Sequence, residues 1–244
     1  NKEHAASDAM RKLGGIAGLS RIPTRIEAYD ISNIGGSESV GSMVVFVNGV
    51  PDKSQYRRFK IKTVSGANDY MSMQEVLFRR FKRVGETDHK DDKGENEGGF
   101  RALPDLILVD GGIGHVNAAY EVVSQFSGAI PVLGMVKDDR HRTRGLISEQ
   151  GEVDLSGCVE IFRLVAAIQD EAHRFAVEYH RKLLQKRNLT SVLDEIKGIG
   201  ERRKVALWKH FGSIQKIRSA ELEELLQADG MNVAAAKAVY EYFH

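Results

Sequence analysis

The spacing of hydrophobic residues changes along this chain from a strand-like to a helix-like pattern. This change restricts the possible folds more than any other feature of the sequence. Between residues 21 and 64, apolar and polar residues alternate in three short stretches, which is typical of neighbouring antiparallel strands. From residue 69 onward, stretches with apolar residues at every third or fourth position alternate with short apolar runs. The order β-β-β-α-β-α-β-α over residues 21–186 predicts an α/β fold, a mixed sheet with helices on its faces.

The individual elements follow from local signals. Asn48-Gly49 is a strong hairpin turn signal between the second and third strands. The polar, glycine-rich residues 84–100 have no periodicity and predict a loop. The predicted strands cover residues 25–34, 39–49, 54–64, 104–110 and 131–137, the predicted helices cover 69–83, 113–126 and 159–186, and residues 140–157 are predicted to form a small hairpin or loop.

Residues 187–244 have a different pattern, without proline or strand signals. Short helices alternate there with tight turns, and Gly198-Ile199-Gly200 and Gly230-Met231-Asn232 mark two copies about 32 residues apart. We therefore predict three segments: an N-terminal helix or linker (1–20), the α/β domain (21–186) and a small all-α domain (187–244).

Composition excludes several classes of protein. Hydrophobic residues make up 42% and charged residues 28% of the chain, which is ordinary for a folded globular protein. No apolar run approaches the ~18–20 residues of a membrane span. The single cysteine, Cys158, excludes an internal disulfide framework and a multi-cysteine zinc site, and it favours a cytoplasmic location.

Three acidic side chains and one histidine on predicted strands and helices are candidate site residues. Asp30 lies in the first strand and Asp110 ends a buried strand, so the two carboxylates could share a hard cation such as Mg²⁺ or Mn²⁺. Asp69 begins the first long helix, and His173 lies midway along the last one. Each has a simpler reading: Asp30 could face solvent, Asp110 could form only a turn, Asp69 could be a helix-capping acid, and His173 could be a surface residue.

Basic residues form two candidate DNA contacts. Lys137, Arg140 and Arg142 follow a predicted central strand, where they could form a phosphate-contacting rim or only a solvated charge run. From Lys182 to Lys209 there are eight Lys or Arg residues and three Asp or Glu residues. The glycine turns and helix starts there predict a sequence-independent grip on DNA phosphates, although a plain α-hairpin packing unit fits the same pattern. The residues of this predicted grip are Gly198, Gly200, Arg202, Arg203, Lys204, Gly230 and Asn232.

The glycines after Asp110, in Gly111-Gly112-Ile113-Gly114, match no nucleotide-binding motif. We interpret them as close backbone packing beside the cation site.

Several motifs together resemble the C-terminal half of the UvrC family, the nuclease subunits of bacterial nucleotide excision repair. The resemblance covers residues 21–244, and its motifs are residues 29–32, 66–70, 104–112, 137–143 and 163–174. It implies an RNase H-like endonuclease domain followed by a tandem helix-hairpin-helix domain. It also implies an active site of Asp30, Asp110 and His173, which would hold the metal, with Asp69 as a further acidic position.

The resemblance further implies an activity and partners. The activity would be the incision 5′ to a lesion in double-stranded DNA. UvrB would be the partner, after UvrA has acted, and the setting would be the SOS response. The alternative is a non-catalytic, structure-specific DNA-binding fragment.

Overall fold

The computed structural model describes residues 2–34, 38–64, 66–85, 102–138, 140, 143–155 and 157–244. Most of the predicted loop 84–100 lies outside these residues. The chain forms two compact units, residues 1–176 and 177–244. Their boundary lies within a helix, before the division at 186/187 that the sequence predicts.

The first unit is built on an eight-stranded mixed sheet. The strands are β1 (Arg25–Ile34), β2 (Glu38–Val47), β3 (Val50–Pro51), β4 (Arg57–Lys60), β5 (Leu106–Asp110), β6 (Val132–Lys137), β7 (Thr143–Ser148) and β8 (Gly151–Val153). Their order in the sheet is β3-β2-β1-β5-β6-β7-β8, with β4 paired to β2. Strand β1 is an interior strand, antiparallel to β2 and parallel to β5.

Local signals explain where these strands begin and end. Asn48 and Gly49 both have positive φ, 51° and 78°, as the predicted hairpin turn requires. The predicted strand 54–64 is shorter than expected, because the Asp52 side chain accepts a hydrogen bond from the Ser54 amide and caps a 3₁₀ turn. Residues 140–157 contain the predicted hairpin as β7 and β8.

Helices pack on the sheet and complete the core. They are α1 (Lys2–Ile16), α2 (Asp69–Gly85), α3 (Ile113–Phe126) and α4 (Val159–Asp194). Helix α1 is more than the polar segment or linker that the sequence predicts, because Ala9, Met10 and Leu13 are buried in the sheet's core. Their spacing of one, three and four residues places them on one helix face.

A buried charge network joins β1 to α2. The Glu27 carboxylate is fully buried and accepts hydrogen bonds from Arg25, from Arg80 at 2.7 Å and from the Tyr29 hydroxyl at 2.6 Å. Arg80 is also fully buried, and it donates a further bond to the Ala102 carbonyl at 2.6 Å. This network therefore connects the central strand, the helix and the segment that leads into β5.

The second unit is entirely helical in the residues described. After the end of α4 it contains α5 (Glu201–Phe211), α6 (Ile214–Arg218), α7 (Leu222–Leu225) and α8 (Val233–Phe243). Its own core includes Leu193, Leu207, Leu225 and Val239. Across both units, none of the helices described has the length and apolar character needed to cross a membrane.

Candidate active site and nucleic-acid interface

The first and fifth strands bring two acidic side chains together. Tyr29 is the register partner of Val109 in the parallel pair β1 and β5, so the next residues, Asp30 and Asp110, emerge side by side. Asp30 is only 7% exposed, although it could have lain on a solvated face. The sequence prediction that these two carboxylates lie close together agrees with this register.

The environment of Asp30 disfavours its charge. Burial raises the pKa of Asp30 to about 6, and the charge of Asp110 adds to the rise. A hydrogen bond from the Ser32 hydroxyl, 2.9 Å long, and the charges of Lys137 and His173 act in the opposite direction. Two carboxylates that destabilise each other in this way are suited to a shared cation or a shared proton.

Protein donors hold both oxygens of Asp110. The Lys137 ammonium donates to Oδ2 at 2.6 Å, and the Gln169 amide donates to Oδ1 at 2.8 Å. Gln169 is buried; its amide also reaches the Met135 carbonyl at 3.1 Å, and its oxygen accepts from the Thr143 hydroxyl. One side chain of α4 therefore fixes the orientation of Asp110 against β6 and β7.

The predicted basic rim is only partly as expected. Lys137 bonds Asp110 rather than lying on a rim. Asp110 is the register partner of Met135, and Lys137, two residues further along β6, faces the same side of the sheet. Arg140 is exposed, and its amide donates to the Asp138 carboxylate. Arg142 lies outside the described residues.

The other two predicted site residues are less directly connected to the pair. Asp69, the first residue of α2, accepts a 2.9 Å hydrogen bond from Asn33, which lies three residues beyond Asp30 on β1. His173 is exposed on α4, and its charge acts on Asp30. Glu171 faces away, towards the Tyr56 hydroxyl at 3.0 Å, as expected for the other side of the helix.

The residues present fit a hard cation in part. Among the residues that the structure describes, no three His, Cys, Asp or Glu side chains converge as a metal-binding group. Two adjacent carboxylates nevertheless suit Mg²⁺, which is often held by one or two carboxylates together with water and substrate phosphate. Asp30 and Asp110 are thus the side chains that would hold the ion, and direct ligation by His173 stays a prediction.

The second unit contains a cleft of about 1120 Å³ between its two turns. Gly200, Arg202, Lys209 and Gly230 are among the residues that line it. Gly198 and Gly230 have positive φ, and a Cβ at Gly198, Gly200 or Gly230 would meet no atom within 4 Å. Open space at these turns is what a close approach of DNA phosphates requires.

The two helix starts beside this cleft differ. Gly200 begins α5 without a side-chain cap, whereas the Asn232 side chain accepts the Ala235 amide at 2.9 Å and caps α8. The second turn therefore offers one amide fewer to an anion. We therefore expect the second copy to bind phosphate more weakly than the first.

Two predicted DNA contacts have structural partners instead. Arg203 donates to the carbonyls of Gly198 at 2.7 Å and Gly230 at 3.0 Å, so it links both turns. Lys204 is only 7% exposed, and its ammonium is paired with Asp194 and Glu201. Lys204 is thus buried in ion pairs and is not placed to reach DNA, whereas Arg203 lines the cleft and its contact with DNA stays a prediction. Arg202 stays exposed.

Comparison with known proteins decides the family. A family model described as the UvrC RNAse H endonuclease domain matches residues 15–177. The chain belongs to the UvrC family. A second model, described as a SAM-like helix-hairpin-helix tandem, matches residues 190–243. The predicted family and fold class, an RNase H-like sheet with a helix-hairpin-helix tandem, are therefore confirmed.

Relatives of this UvrC-family chain are similar throughout its length. UvrABC system protein C of Acetivibrio thermocellus is 54% identical over 98% of the chain and 39% of the relative. The protein of the same name from Clostridium acetobutylicum is 54% identical over 93% of the chain and 37% of the relative. The chain thus spans about two fifths of these relatives. A crystal structure of human ENDOV aligns with a TM-score of 0.38 and 12% identity, over 73% of this chain and 98% of that one.

Sequence reasoning missed two residues of the candidate site. Gln169 has a signal only in its position, one helical turn before His173, and Asn33 has none beyond its place three residues after Asp30. Their roles depend on the partners Asp110 and Asp69, which lie 59 and 36 residues away along the chain. Residue spacing alone does not identify such long-range hydrogen bonds.

Proposed function

We propose that this chain carries the metal-dependent nuclease site that makes the incision 5′ to a lesion in nucleotide excision repair. The observation that carries the proposal is the buried pair of Asp30 and Asp110, in which burial and the neighbouring charge raise the pKa of Asp30 to about 6. The UvrC RNAse H endonuclease model supports a nuclease role for the unit that contains this pair. The chemistry would be phosphodiester hydrolysis.

The cofactor would be Mg²⁺ or Mn²⁺, held by Asp30 and Asp110. Such an ion supplies charge neutralisation at the phosphate and a bound water of lowered pKa. The residues of the chain would do the rest. Gln169 keeps Asp110 in one orientation through its 2.8 Å hydrogen bond. Lys137, 2.6 Å from Asp110, would reduce the repulsion between the two carboxylates and the arriving phosphate.

Two further residues would act around this pair. His173 lies on the same helix as Gln169, four residues later, and its charge acts on Asp30. An imidazole at this position suits proton transfer to or from an oxygen of the reacting phosphodiester. The Asp69 carboxylate accepts a hydrogen bond from the Asn33 side-chain amide. Through this bond Asp69 would fix the end of β1.

The partners would be damaged double-stranded DNA and UvrB, in the cytoplasm. The helix-hairpin-helix unit would hold the DNA backbone through the cleft beside Gly200 and Arg202. It would then supply affinity without sequence preference, while the sheet domain supplies the chemistry.

A metal titration tests the nuclease site. We expect Mn²⁺ to bind the wild-type chain and to lose most of its affinity in Asp110→Asn, because the variant removes a charged ligand with almost no change in volume. Isothermal titration calorimetry measures the metal, and fluorescence anisotropy of a labelled bubble duplex measures DNA affinity in parallel. Equal Mn²⁺ affinity in the two proteins would overturn the proposal.

The contacts of Asp110 favour the alternative, a non-catalytic DNA-binding fragment. Lys137 and Gln169 already satisfy both of its oxygens, so the sheet domain could be a scaffold. This alternative predicts DNA binding without any specific Mn²⁺ affinity, and the same titration separates the two functions.

A salt titration tests the DNA grip. We expect Arg202→Ala to reduce the slope of log affinity against log salt by about 0.9, the value for one lost phosphate contact. Gly200→Val should weaken binding at all salt concentrations; its φ of −86° accepts any side chain, so the added bulk acts only by blocking the approach. The control is Lys216→Ala, an exposed cation of the same unit outside the residues that line the cleft. If Lys216→Ala changed the slope as much as Arg202→Ala, the cleft would not be the site of contact.

A further inference from the structure

The glycines after Asp110 allow two aromatic rings to pack against the backbone. A Cβ at Gly111 would overlap the His115 imidazole, and a Cβ at Gly114 would lie 2.8 Å from the Tyr70 ring. Gly111 also has a φ of 152°, which other residues rarely adopt. These glycines therefore leave room for the His115 and Tyr70 rings to pack against the backbone at the start of α3.

The two rings support each other. Their centroids are 4.8 Å apart with an angle of 58° between the planes. His115 is half-buried, whereas Tyr70 is 51% exposed. Tyr70 thus has one side held by protein and the other open to solvent. A ring held in this way loses little conformational entropy when it binds a flat partner.

These rings lie beside the acidic residues of the site. Tyr70 directly follows Asp69, and His115 follows Asp110 by five positions. Burial lowers the pKa of His115, while the charges of Asp69 and Asp110 act on it in the opposite direction. Tyr70 and His115, whose rings are in contact, form what we call the aromatic platform. Met71 and Ile113 are also exposed at these two helix starts.

The chemistry of the platform restricts its occupant. Nearby carboxylates repel phosphate, so only the uncharged part of a nucleotide suits this surface. An exposed ring with apolar neighbours matches the flat face of a nucleobase, and such stacking accepts all four bases. A base stacked within a duplex has no free face, so the base must be unpaired or turned out of the helix.

We propose that the aromatic platform stacks against an unpaired nucleobase next to the phosphodiester held at Asp30 and Asp110, with Tyr70 as the contact ring. This inference rests on the proposed nuclease function, because that function brings a DNA strand to this edge of the sheet. It adds a specificity: the platform selects, without reading sequence, a strand whose base is free to leave the stack.

The test uses bubble duplexes with one 2-aminopurine, moved in turn through each position around the bubble edge. Ca²⁺ replaces Mg²⁺ in the buffer, so that a hard cation can occupy the carboxylate pair while cleavage is suppressed. Stacking is read from quenching of the probe and not from activity. With the whole chain, we expect one or two adjacent positions to be quenched on binding. An abasic nucleotide at that position should weaken binding about five- to tenfold.

Four variants assign the effect to the ring. Tyr70→Ala should remove the quenching and make the abasic substitution almost neutral, whereas Tyr70→Phe should keep both effects. Gly114→Ala should reduce the quenching, because its methyl group displaces the Tyr70 ring without removing it. Phe78→Ala is the matched control, since Phe78 is similarly exposed on α2 about 12 Å further along the helix.

The outcomes separate this inference from the proposed function. Bound DNA with no quenched position, or identical quenching in wild type and Tyr70→Ala, would overturn the platform whatever the metal titration shows. Conversely, Tyr70-dependent quenching in a chain that binds no Mn²⁺ would keep the platform as a base-binding surface and reject the nuclease site.

Discussion

Incision should fall at least about a thousandfold in Asp30→Asn and in Asp110→Asn, while affinity for DNA stays close to that of the wild type. Each variant removes one charge from the carboxylate pair and barely changes volume, and transition-state stabilisation by a metal at such a site is worth several kcal/mol. The DNA grip lies in the other unit, so binding should not follow activity. Product analysis on a labelled lesion-containing duplex, with UvrB loaded and Mg²⁺ or Mn²⁺ present, measures the incision.

Asp30→Asn should also make the folded chain more stable. Because burial and Asp110 raise the pKa of Asp30 from 3.8 to about 6, the folded state binds this proton more tightly than the unfolded state. Wild-type stability should therefore decrease as the pH rises from about 4 to about 6, by an amount on the order of 2–3 kcal/mol. The variant lacks this loss, so in metal-free buffer its advantage should be absent near pH 4 and largest near pH 7.

The control for both measurements is Glu121→Gln, which removes an exposed carboxylate of α3 that bonds only Gln74 among the contacts described. It should incise like the wild type and show the wild-type dependence of stability on pH. Incision by Asp30→Asn or Asp110→Asn at the wild-type rate would contradict the site assignment. If the free energy of unfolding of Asp30→Asn, measured with urea, depended on pH as it does in the wild type, the raised pKa of Asp30 would not be the cause of the pH dependence.

Glu27→Gln should destabilise the sheet domain by about 3–5 kcal/mol. The substitution keeps the shape of the side chain but leaves the fully buried Arg80 guanidinium and the buried Arg25 without the charge that compensates them. Equilibrium urea unfolding, followed by circular dichroism at neutral pH, measures the loss. Replacing Glu27 and Arg80 together with methionine should recover part of the stability, because the double variant leaves fewer unpaired buried charges.

The matched control for Glu27→Gln is Lys12→Gln, which breaks an exposed pair with Asp8 in the same unit. Its unfolding midpoint should stay near that of the wild type, since exposed ion pairs contribute little. Equal midpoints for wild type and Glu27→Gln would show that Glu27 is not needed to balance its two arginines.

Much of the site can be derived from the sequence alone. The alternation in residues 25–34 predicts a strand with the observed bounds, and the apolar run before Asp110 predicts a buried one. In the RNase H-like sheet that this order resembles, the first and fourth predicted strands are neighbours, and this resemblance predicts that Asp30 and Asp110 meet. Gly198 and Gly230 likewise indicate turns, since their positive φ is a local property.

Hydrophobic periodicity and glycine placement determined the order of strands and helices and the two kinds of domain, because they report on backbone conformation and on the buried face of each element. Only the tertiary structure decided which polar side chains meet. The pairing of β5 with β6 places Lys137 against Asp110, and Gln169 reaches Asp110 from α4. Lys204 is committed to Asp194 and Glu201, while Arg202 stays exposed. These outcomes depend on distances between residues far apart in the chain and on side-chain geometry. Hydrophobic periodicity in the sequence reports on neither.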